Sequence, residues 1–154
     1  MEENLSLKVR ILKRPVEIAL LDGNRMQGHF FVSPCSAHHP GNERIDEILN
    51  DERAFIPVES AEGAVTLLLK ASILYVRSME KNPTQISALD TSAHGKVFFL
   101  SGDILEGRVP MELPKTHNRL SDFLNCSRQF FPFEVNHEMH FINSKRVKMV
   151  TPVS

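Results

Sequence analysis

Two stretches of the chain carry nearly the same motif, Arg44-Ile45-Asp46-Glu47-Ile48-Leu49-Asn50 and Arg119-Leu120-Ser121-Asp122-Phe123-Leu124-Asn125. In each copy an aromatic segment begins five residues after the final Asn, as Phe55-Ile56-Pro57 and Phe130-Phe131-Pro132. Two glycines precede each motif at the same mutual spacing, Gly23 and Gly28 in the first copy and Gly102 and Gly107 in the second. Self-similarity of this kind indicates a duplicated structural unit of about 60–75 residues.

The hydrophobic pattern of each copy predicts two strands, a short helix and three further strands. Val16, Ile18 and Leu20 alternate as in a half-buried strand, and Asp22-Gly23-Asn24 marks a hairpin turn. Gly28 within the return strand predicts a bulge or sharp bend that would curl the sheet. In the first copy the predicted elements are a hairpin over 16–32, a helix over 44–51 and strands over 53–59, 65–70 and 72–77. In the second copy they are strands over 96–100 and 104–110, a helix over 119–126 and strands over 129–135, 139–142 and 147–150. A separate strand is predicted over 5–14 and a turn over 92–95.

The composition is that of a globular protein whose positive and negative charges nearly balance. The 154 residues are 42% hydrophobic and 24% charged, with a net charge of −1, so neither disorder nor a global attraction to phosphate or anionic membranes is indicated. The longest apolar runs, such as Leu67-Leu68-Leu69, are too short to span a bilayer, and the sequence begins with acidic residues rather than an apolar signal segment. We therefore expect a cytoplasmic protein, with Cys35 and Cys126 as reduced thiols.

The two hairpins and the closing strands resemble those of the Sm-like fold. Val16-x-Ile18-x-Leu20-x-Asp22-Gly23 followed by Met26-x-Gly28 resembles its opening hairpin, and Leu68-Leu69-Lys70 through Val76 resembles its last two strands. The repeated helix followed by Phe-x-Pro is similar to a family of bacterial proteins of unknown function built from duplicated Sm-like (SH3-like) barrel units. The resemblance implies a mainly β protein of two tandem five-stranded barrels, each with a short helix between strands 2 and 3, with units at 1–79 and 96–154 and a linker at 80–95.

The repeated polar residues of the two helices are the candidate binding residues: Arg44, Asp46 and Asn50, and Arg119, Asp122 and Asn125. Arg and Asn beside a helix could bind an anion or a base edge. The alternative is structural: an acid or hydroxyl (Asp46, Ser121) caps the helix, the Arg pairs with a carboxylate, and the Asn ends the helix in a left-handed conformation. We favour the structural alternative, because both copies retain the whole set.

No motif for catalysis or for a bound cofactor is present. The sequence lacks G-x-S-x-G, Walker and G-x-G-x-x-G patterns, so we expect a protein that is not an enzyme and has no cofactor. Cys35, His38 and His39 share one loop and could be soft ligands for zinc, but no second ligand pair stands at zinc-finger spacing, so we expect no metal site.

Three pairs of adjacent phenylalanines predict an interface: Phe30-Phe31, Phe98-Phe99 and Phe130-Phe131. Adjacent strand residues face opposite sides, so one member of each pair points away from its own unit. We expect the surface between the two units to cover these side chains.

Two functions fit these features. The first is a protein-interaction or assembly module whose exposed sheet edges bind a protein partner or other copies of the chain; Sm-like folds form rings by such pairing, which implies an even number of units. The alternative is binding of RNA or single-stranded nucleic acid, with stacking on aromatic side chains.

Overall fold

The structure is a computed structural model that describes residues 12–81, 92–110, 119–126 and 128–153, and it is mainly β. Its ten strands are β1 Leu12–Leu20, β2 Arg25–Val32, β3 Phe55–Ser60, β4 Val65–Leu69, β5 Ile73–Ser78, β6 Ser92–Phe99, β7 Ile104–Pro110, β8 Phe130–Val135, β9 Glu138–Asn143 and β10 Val147–Pro152; its two short helices are α1 Ile45–Leu49 and α2 Arg119–Leu124. A 3-10 turn precedes β5 (Lys70–Ser72) and another precedes β10 (Ser144–Arg146). Within the described ranges no helix has the length and apolar character needed to cross a bilayer.

All ten strands belong to one antiparallel sheet, in the order β10-β6-β7-β8-β9-β5-β1-β2-β3-β4. Within each half the fifth strand lies beside the first, and the second, third and fourth follow in turn. The repeat in the sequence therefore corresponds to a repeat in the order of strands, with β6 to β10 in the positions of β1 to β5. The two halves meet where β5 pairs with β9.

The expected closed barrels are not formed. In the described sheet the strand order is open, and its two ends are β4 in the first half and β10 in the second. Each half places its fourth and fifth strands at opposite ends of its own five strands. The fourth strand of the second half pairs instead with the fifth strand of the first, so the halves join edge to edge.

Two hydrophobic cores lie along the sheet, one for each half. The first contains Ile18, Phe30 and Val58 together with Ile48 of α1, and the second contains Val97, Phe99 and Phe133. Each core also contains side chains from the other half. Small units of this size bury little surface alone, so sharing side chains between cores increases what each half buries.

Gly28 and Gly107 fit a close approach of backbones rather than the predicted bulge. The β1–β2 register runs unbroken through Gly28. A Cβ at Gly28 would lie 2.4 Å from the carbonyl oxygen of Glu59, and one at Gly107 would lie 2.1 Å from that of Glu134. The repeated glycine therefore lets the third strand of each half pass close to the second.

Several element boundaries differ from the sequence prediction. β1 runs through Pro15 in register with β2, so residues 12–14 of the predicted separate strand belong to the hairpin, while residues 5–11 lie outside the described residues. β6 begins at Ser92, so the predicted turn over 92–95 is strand and the predicted linker ends earlier; its residues 82–91 lie outside the described residues. His94 pairs with Arg108 in that strand, which accounts for the extension.

The predicted caps of the helices are also wrong in detail. At α1 the backbone N–H of Arg44 donates to the Glu47 carboxylate at 2.8 Å, so Glu47 rather than Asp46 satisfies this helix start. Asn50 ends α1 at φ −103°, outside the left-handed region. Ser121 lies within α2 rather than before it. Asp46 and Asn50 therefore make contacts other than the predicted caps: Asp46 pairs with Arg44, and Asn50 bonds to the backbone of Phe130.

Candidate functional site

The junction between the two halves is a short antiparallel ladder between β5 and β9. Tyr75 pairs with Ile142, Val76 with Phe141, and Arg77 with His140. This ladder shows how an edge strand of one unit receives an edge strand of another. It is therefore the reference for judging β4 and β10, the two edge strands that have no second neighbour within the described sheet.

Side chains cross this junction in both directions. Phe130, Met139 and Phe141 of the second half pack into the core of the first half. Ala19, Leu74 and Tyr75 of the first half pack in return into the core of the second. The exchange makes the junction apolar at its centre.

The adjacent phenylalanines of β8 confirm the predicted interface at one of the three pairs. Phe130 belongs to the first core and Phe131 to the second, because neighbouring strand residues point to opposite faces. Phe130 is the member that points away from its own unit. Its covering surface is the other half of the chain.

Asn50, one of the predicted binding residues, holds the junction. Its Nδ2 donates to the carbonyl oxygen of Phe130 at 3.0 Å, and its Oδ1 accepts the N–H of Phe130 at 2.8 Å. The side chain therefore pairs with both polar groups of one strand residue, as a neighbouring strand would. It joins the end of α1 to the start of β8.

Other polar contacts at the junction satisfy buried groups. Asn143 is fully buried, and its Nδ2 donates to the carbonyl oxygen of Ile73 at 2.9 Å. Arg146 donates from Nε to the carbonyl oxygen of Ala71 at 2.9 Å. These bonds fix the 3-10 turns of the two halves against each other.

Charged groups line one side of the junction. The Arg77 guanidinium lies 3.0 Å from Glu17 Oε1 on β1 and 2.6 Å from Glu138 Oε2 on β9, so it links three neighbouring strands. Burial would raise the pKa of Glu17, but the hydrogen bond and charge of Arg77 outweigh it and lower that pKa. Beside them, burial of the His140 ring lowers its pKa, because the imidazolium form is the one that loses hydration.

The other predicted residues of the first helix lie on the surface. Arg44 is exposed and pairs from Nε with Asp46 Oδ1 at 3.1 Å, which confirms that this Arg pairs with a carboxylate. Asn50 makes no part of that pair, since its side-chain amide bonds to the backbone of Phe130 in the second half. The structure therefore does not bring the three residues together as one binding site.

In the second helix, Asp122 and Asn125 form no hydrogen bond or ion pair with the first half among the described residues. Asp122 is exposed. Asn125, the equivalent of Asn50, is also exposed, and its Nδ2 donates within the same helix to the carbonyl oxygen of Ser121 at 2.9 Å. The helix position of Arg119 is described, but its side chain lies outside the described residues.

The histidine-containing loop before α1 is organised by a carboxylate. Glu47 accepts hydrogen bonds from Ser36 Oγ and, at 2.7 Å, contacts His39 Nε2, while His39 Nδ1 lies 2.8 Å from the carbonyl oxygen of Pro40. Burial alone would raise the pKa of Glu47; the hydrogen bonds from Ser36, from the Arg44 N–H and from His39 lower it to about 2. The contacts with Pro40 and Glu47 raise the pKa of His39.

Cysteines and metal-ligating side chains are dispersed in this fold. Cys35 and Cys126 are both free thiols. In the part of the chain that the structure describes, no group of three or more His, Cys, Asp or Glu side chains is arranged to hold a metal ion. The ring nitrogens of His39 are already occupied by Pro40 and Glu47.

The free edges match the junction position by position. Phe55 pairs with Leu69 as Phe130 pairs with Asn143, so β4 is equivalent to residues 139–143 of β9. β5 and β10 each begin directly after a 3-10 turn, so Tyr75 is equivalent to Met149.

Equivalent positions differ sharply in exposure. Leu67 on the free edge is 67% exposed, whereas Phe141 at the junction is 8% exposed. Phe55 is 53% exposed and Phe130 is fully buried. Met149 is 46% exposed and Tyr75 is 6% exposed. The free edges therefore present apolar side chains at the places where the junction buries them.

The candidate site is accordingly the pair of sheet ends that no other described strand covers. One has the exposed Val65, Leu67 and Leu69 of β4 beside Phe55 of β3, and the other has the exposed Met149 and the half-buried Val150 of β10. Sequence analysis predicted interacting edges but did not identify these residues. The apolar run Leu67-Leu68-Leu69 was the available signal, since apolar and polar residues normally alternate in a half-exposed strand.

Comparison with known proteins gives no match: no protein-family model matches the sequence, and no curated protein or solved structure matches the chain. The assignment of function therefore depends on the geometry of the molecule itself.

Proposed function

We propose that the chain is a non-catalytic interaction module of two Sm-like units that binds protein strands along the free edges of its sheet. The observation that carries this proposal is the contrast between equivalent positions: Leu67 and Phe55 are exposed where Phe141 and Phe130 are buried. A strand edge offers backbone donors and acceptors to another strand, and apolar side chains beside it add burial energy.

The two-unit part of the proposal is supported by the duplicated strand order. Each half places its strands in the order fifth, first, second, third, fourth. The same order, the same glycine contact and the same helix position in both halves are what a fused pair of like units would have. The internal junction then serves as an example of the recognition that the free edges perform.

The amount of apolar surface supports binding rather than a solvated edge. Soluble proteins usually protect edge strands with charged residues, prolines or bulges. β4 has the sequence Val-Thr-Leu-Leu-Leu and contains none of these. Fully burying an exposed leucine contributes about 1.5–3 kcal/mol, and about two-thirds of this remains available at Leu67, which is 67% exposed.

The experiment uses the immobilised chain to bind proteins from a cell extract treated with nuclease. Leu67→Lys places a charge on the β4 edge, and Met149→Lys places one on the β10 edge. Ile104→Lys is the matched control, because Ile104 is a similarly exposed apolar residue of β7, a strand inside the sheet.

We expect wild-type protein and the Ile104→Lys variant to retain the same bound proteins, and the two edge variants to lose them. Retention that is equal for all four forms would refute edge recognition. Binding that disappears with nuclease, and that falls steeply with salt, would show nucleic acid to be the ligand instead.

A further inference from the structure

We infer that a cleft between β7 and β8 of the second half binds a free α-amino acid, with Arg108 holding its carboxylate and Glu134 its ammonium group. The cleft has a volume of about 610 Å³, which is in the range usual for small-molecule sites. It lies beside inner strands of the sheet, so it is separate from β4 and β10. Its polar lining consists of His94 of β6, Glu106 and Arg108 of β7, Glu134 of β8, and Asn136 and His137 of the turn before β9.

Three of these side chains form a row across neighbouring strands. His94 pairs with Arg108 in the β6–β7 ladder, and Arg108 pairs with Glu134 in the β7–β8 ladder. Residues paired across antiparallel strands point to the same face, with Cβ atoms about 4.5–5.5 Å apart. The row therefore places an imidazole, a guanidinium and a carboxylate side by side at one cleft.

Arg108 and Glu134 are neighbours of opposite charge that do not pair with each other. Glu134 is 8% exposed and Arg108 is half-buried. Among the described residues, neither side chain has an ion pair or a hydrogen bond. A carboxylate that loses this much hydration normally gains a charged or hydrogen-bonding partner. The pair is therefore open to a ligand that offers a negative group to one side chain and a positive group to the other.

The first half has an equivalent pair of residues at the same ladder position. Counted from the repeated glycine, His29 of β2 takes the place of Arg108. His29 pairs across the ladder with Glu59, which therefore takes the place of Glu134. The acid is thus common to both halves, whereas the arginine belongs to the second half alone.

The first half neutralises its acid internally and the second half does not. Lys13 Nζ lies 2.9 Å from Glu59 Oε1. The position of β6 that corresponds to Lys13 is Ser92, a residue type without charge. Glu134 consequently lacks the lysine that its equivalent has. This difference between the halves is the strongest reason to place a ligand at the second.

The turn between β8 and β9 adds hydrogen-bonding groups to the cleft. Asn136 and His137 have φ values of 51° and 66°, a left-handed conformation that residues other than glycine seldom adopt. The corresponding turn of the first half has Gly63 at φ 86°. The second half therefore places an amide and an imidazole where glycine would satisfy the backbone with less strain. Both groups can bond to a ligand carboxylate.

The charges of the cleft select the class of ligand. Arg108 and Glu134 balance each other, and Glu106 already has Lys96 Nζ 4.0 Å away. The guanidinium fork binds a carboxylate through two parallel hydrogen bonds. An α-amino acid carries its carboxylate and its ammonium group on the same carbon, so it can reach two side chains at adjacent positions. A simple anion would satisfy Arg108 but not Glu134, and a simple amine would do the reverse.

The test screens the twenty common amino acids against the purified full-length chain by thermal unfolding, because a ligand of the folded state raises the midpoint. We expect at least one to raise it in a saturable manner. Isothermal titration calorimetry then compares that amino acid with its analogue without the α-amino group and its analogue without the carboxylate. Each analogue should bind roughly ten- to a hundredfold more weakly, because it leaves one charged side chain without a partner.

Two variants assign the contacts. Arg108→Gln should bind the amino acid no better than the analogue without the carboxylate, and Glu134→Gln should bind it no better than the analogue without the amino group. A residue that only supported the fold would weaken all three compounds alike. Glu59→Gln is the matched control, because Glu59 has the same ladder position and is paired with Lys13, and it should leave the affinity unchanged.

Several results would overturn the inference. Absence of saturable binding by all twenty amino acids would exclude it, as would equal affinities for the amino acid and both analogues. Leu67→Lys separates this site from the proposed function, since it should lose captured proteins and still bind the amino acid as the wild type does. A chain that captures proteins through Leu67 but binds no amino acid would refute the cleft alone, and the reverse result would refute edge recognition alone.

Discussion

Asn50 and Phe130 are joined by two hydrogen bonds across the junction of the halves, one donated by the amide nitrogen of Asn50 at 3.0 Å and one accepted by its oxygen at 2.8 Å. The pair connects residues eighty positions apart in sequence. Because α1 ends next to the start of β8, the Asn50 amide supplies the donor and the acceptor that a neighbouring strand would otherwise offer to Phe130. These two bonds explain the position of an Asn at the end of α1, although its backbone lies outside the left-handed region that a helix-ending Asn often adopts.

Replacing Asn50 by Ala should therefore destabilise the chain. We expect a loss of about 1–3 kcal/mol in the free energy of unfolding, the usual cost of leaving partly buried backbone groups without partners. Urea unfolding of dilute protein measures it. Asn125→Ala is the matched control and should cost clearly less, since Asn125 is exposed and bonds within its own helix. Equal losses in the two variants would contradict the assigned role of Asn50.

The close approach of backbones at the repeated glycines gives a second prediction. Gly28→Ala and Gly107→Ala each place a Cβ within 2.4 Å of a carbonyl oxygen of the third strand, and backbone cannot move aside as a side chain can. We expect each to cost about 1–3 kcal/mol or more, as overpacking does.

Gly95→Ala is the control for these two variants. Gly95 is also a strand glycine, but its added Cβ would lie no nearer than 3.5 Å to another atom. Its thermal midpoint should stay near that of the wild type, whereas the midpoints of the other two should fall. A fall of the same size at Gly95 would indicate a general cost of alanine in these strands rather than a steric conflict.

Glu47 should give the chain an acid-dependent stability. Its pKa lies near 2 in the folded chain against an ordinary value of 4.5, so the folded state favours the ionised carboxylate. The resulting stability is present above about pH 4.5 and is lost as the pH falls toward 2. Glu47→Gln should be less stable than the wild type at pH 6, and the difference should vanish near pH 2.

Chemical unfolding over this pH range tests the Glu47 prediction, and NMR titration of His39 adds a second readout. Removing the carboxylate should lower the pKa of His39, because Glu47 supplies part of its upward shift. Asp46→Asn is the control: it removes only an exposed pair with Arg44, worth about 0–1 kcal/mol. A difference between wild type and Glu47→Gln that stays constant down to pH 2 would contradict the assignment.

Much of the architecture could be predicted from sequence because it depends on local pattern. The alternation of Val16, Ile18 and Leu20 and the turn at Gly23 gave the first hairpin, and the repeated motif gave the equivalent elements of the second half. Gly28 was singled out correctly, but a glycine in a strand is compatible with either a bulge or a close backbone. Only the position of Glu59 distinguishes the two.

The junction could not be predicted from local pattern because it depends on which edges meet. Nothing near Phe130 in the sequence indicates a bond to Asn50, and the motif alone suggested a helix cap. The exposure of Leu67 was hidden for the same reason: β4 and β9 both contain several large apolar residues, and only the strand order shows that β9 is paired on both sides whereas β4 ends the described sheet.

His140 should make the stability of the junction depend on pH. Its pKa is lowered by burial, whereas the pKa of His39 is raised by its contacts. The His140 ring is buried beside Tyr75, with Arg77, Glu138 and Glu17 as the charged groups around it. Burial holds its pKa below the ordinary 6.5, so between 6.5 and that lower value the unfolded chain binds more protons than the folded one. Stability should therefore fall as the pH drops from 7 through this window.

The slope from this one residue is at most about 1.4 kcal/mol per pH unit, the limit for a single proton. His140→Gln should reduce the loss of unfolding free energy between pH 7.5 and pH 5, while His38→Gln, at an exposed loop position, should leave the loss as it is in the wild type. NMR titration should give a pKa below 6.5 for His140. A value above 6.5, or a pH profile unchanged by His140→Gln, would show that the buried ring does not resist protonation and that the junction tolerates a charge at this position.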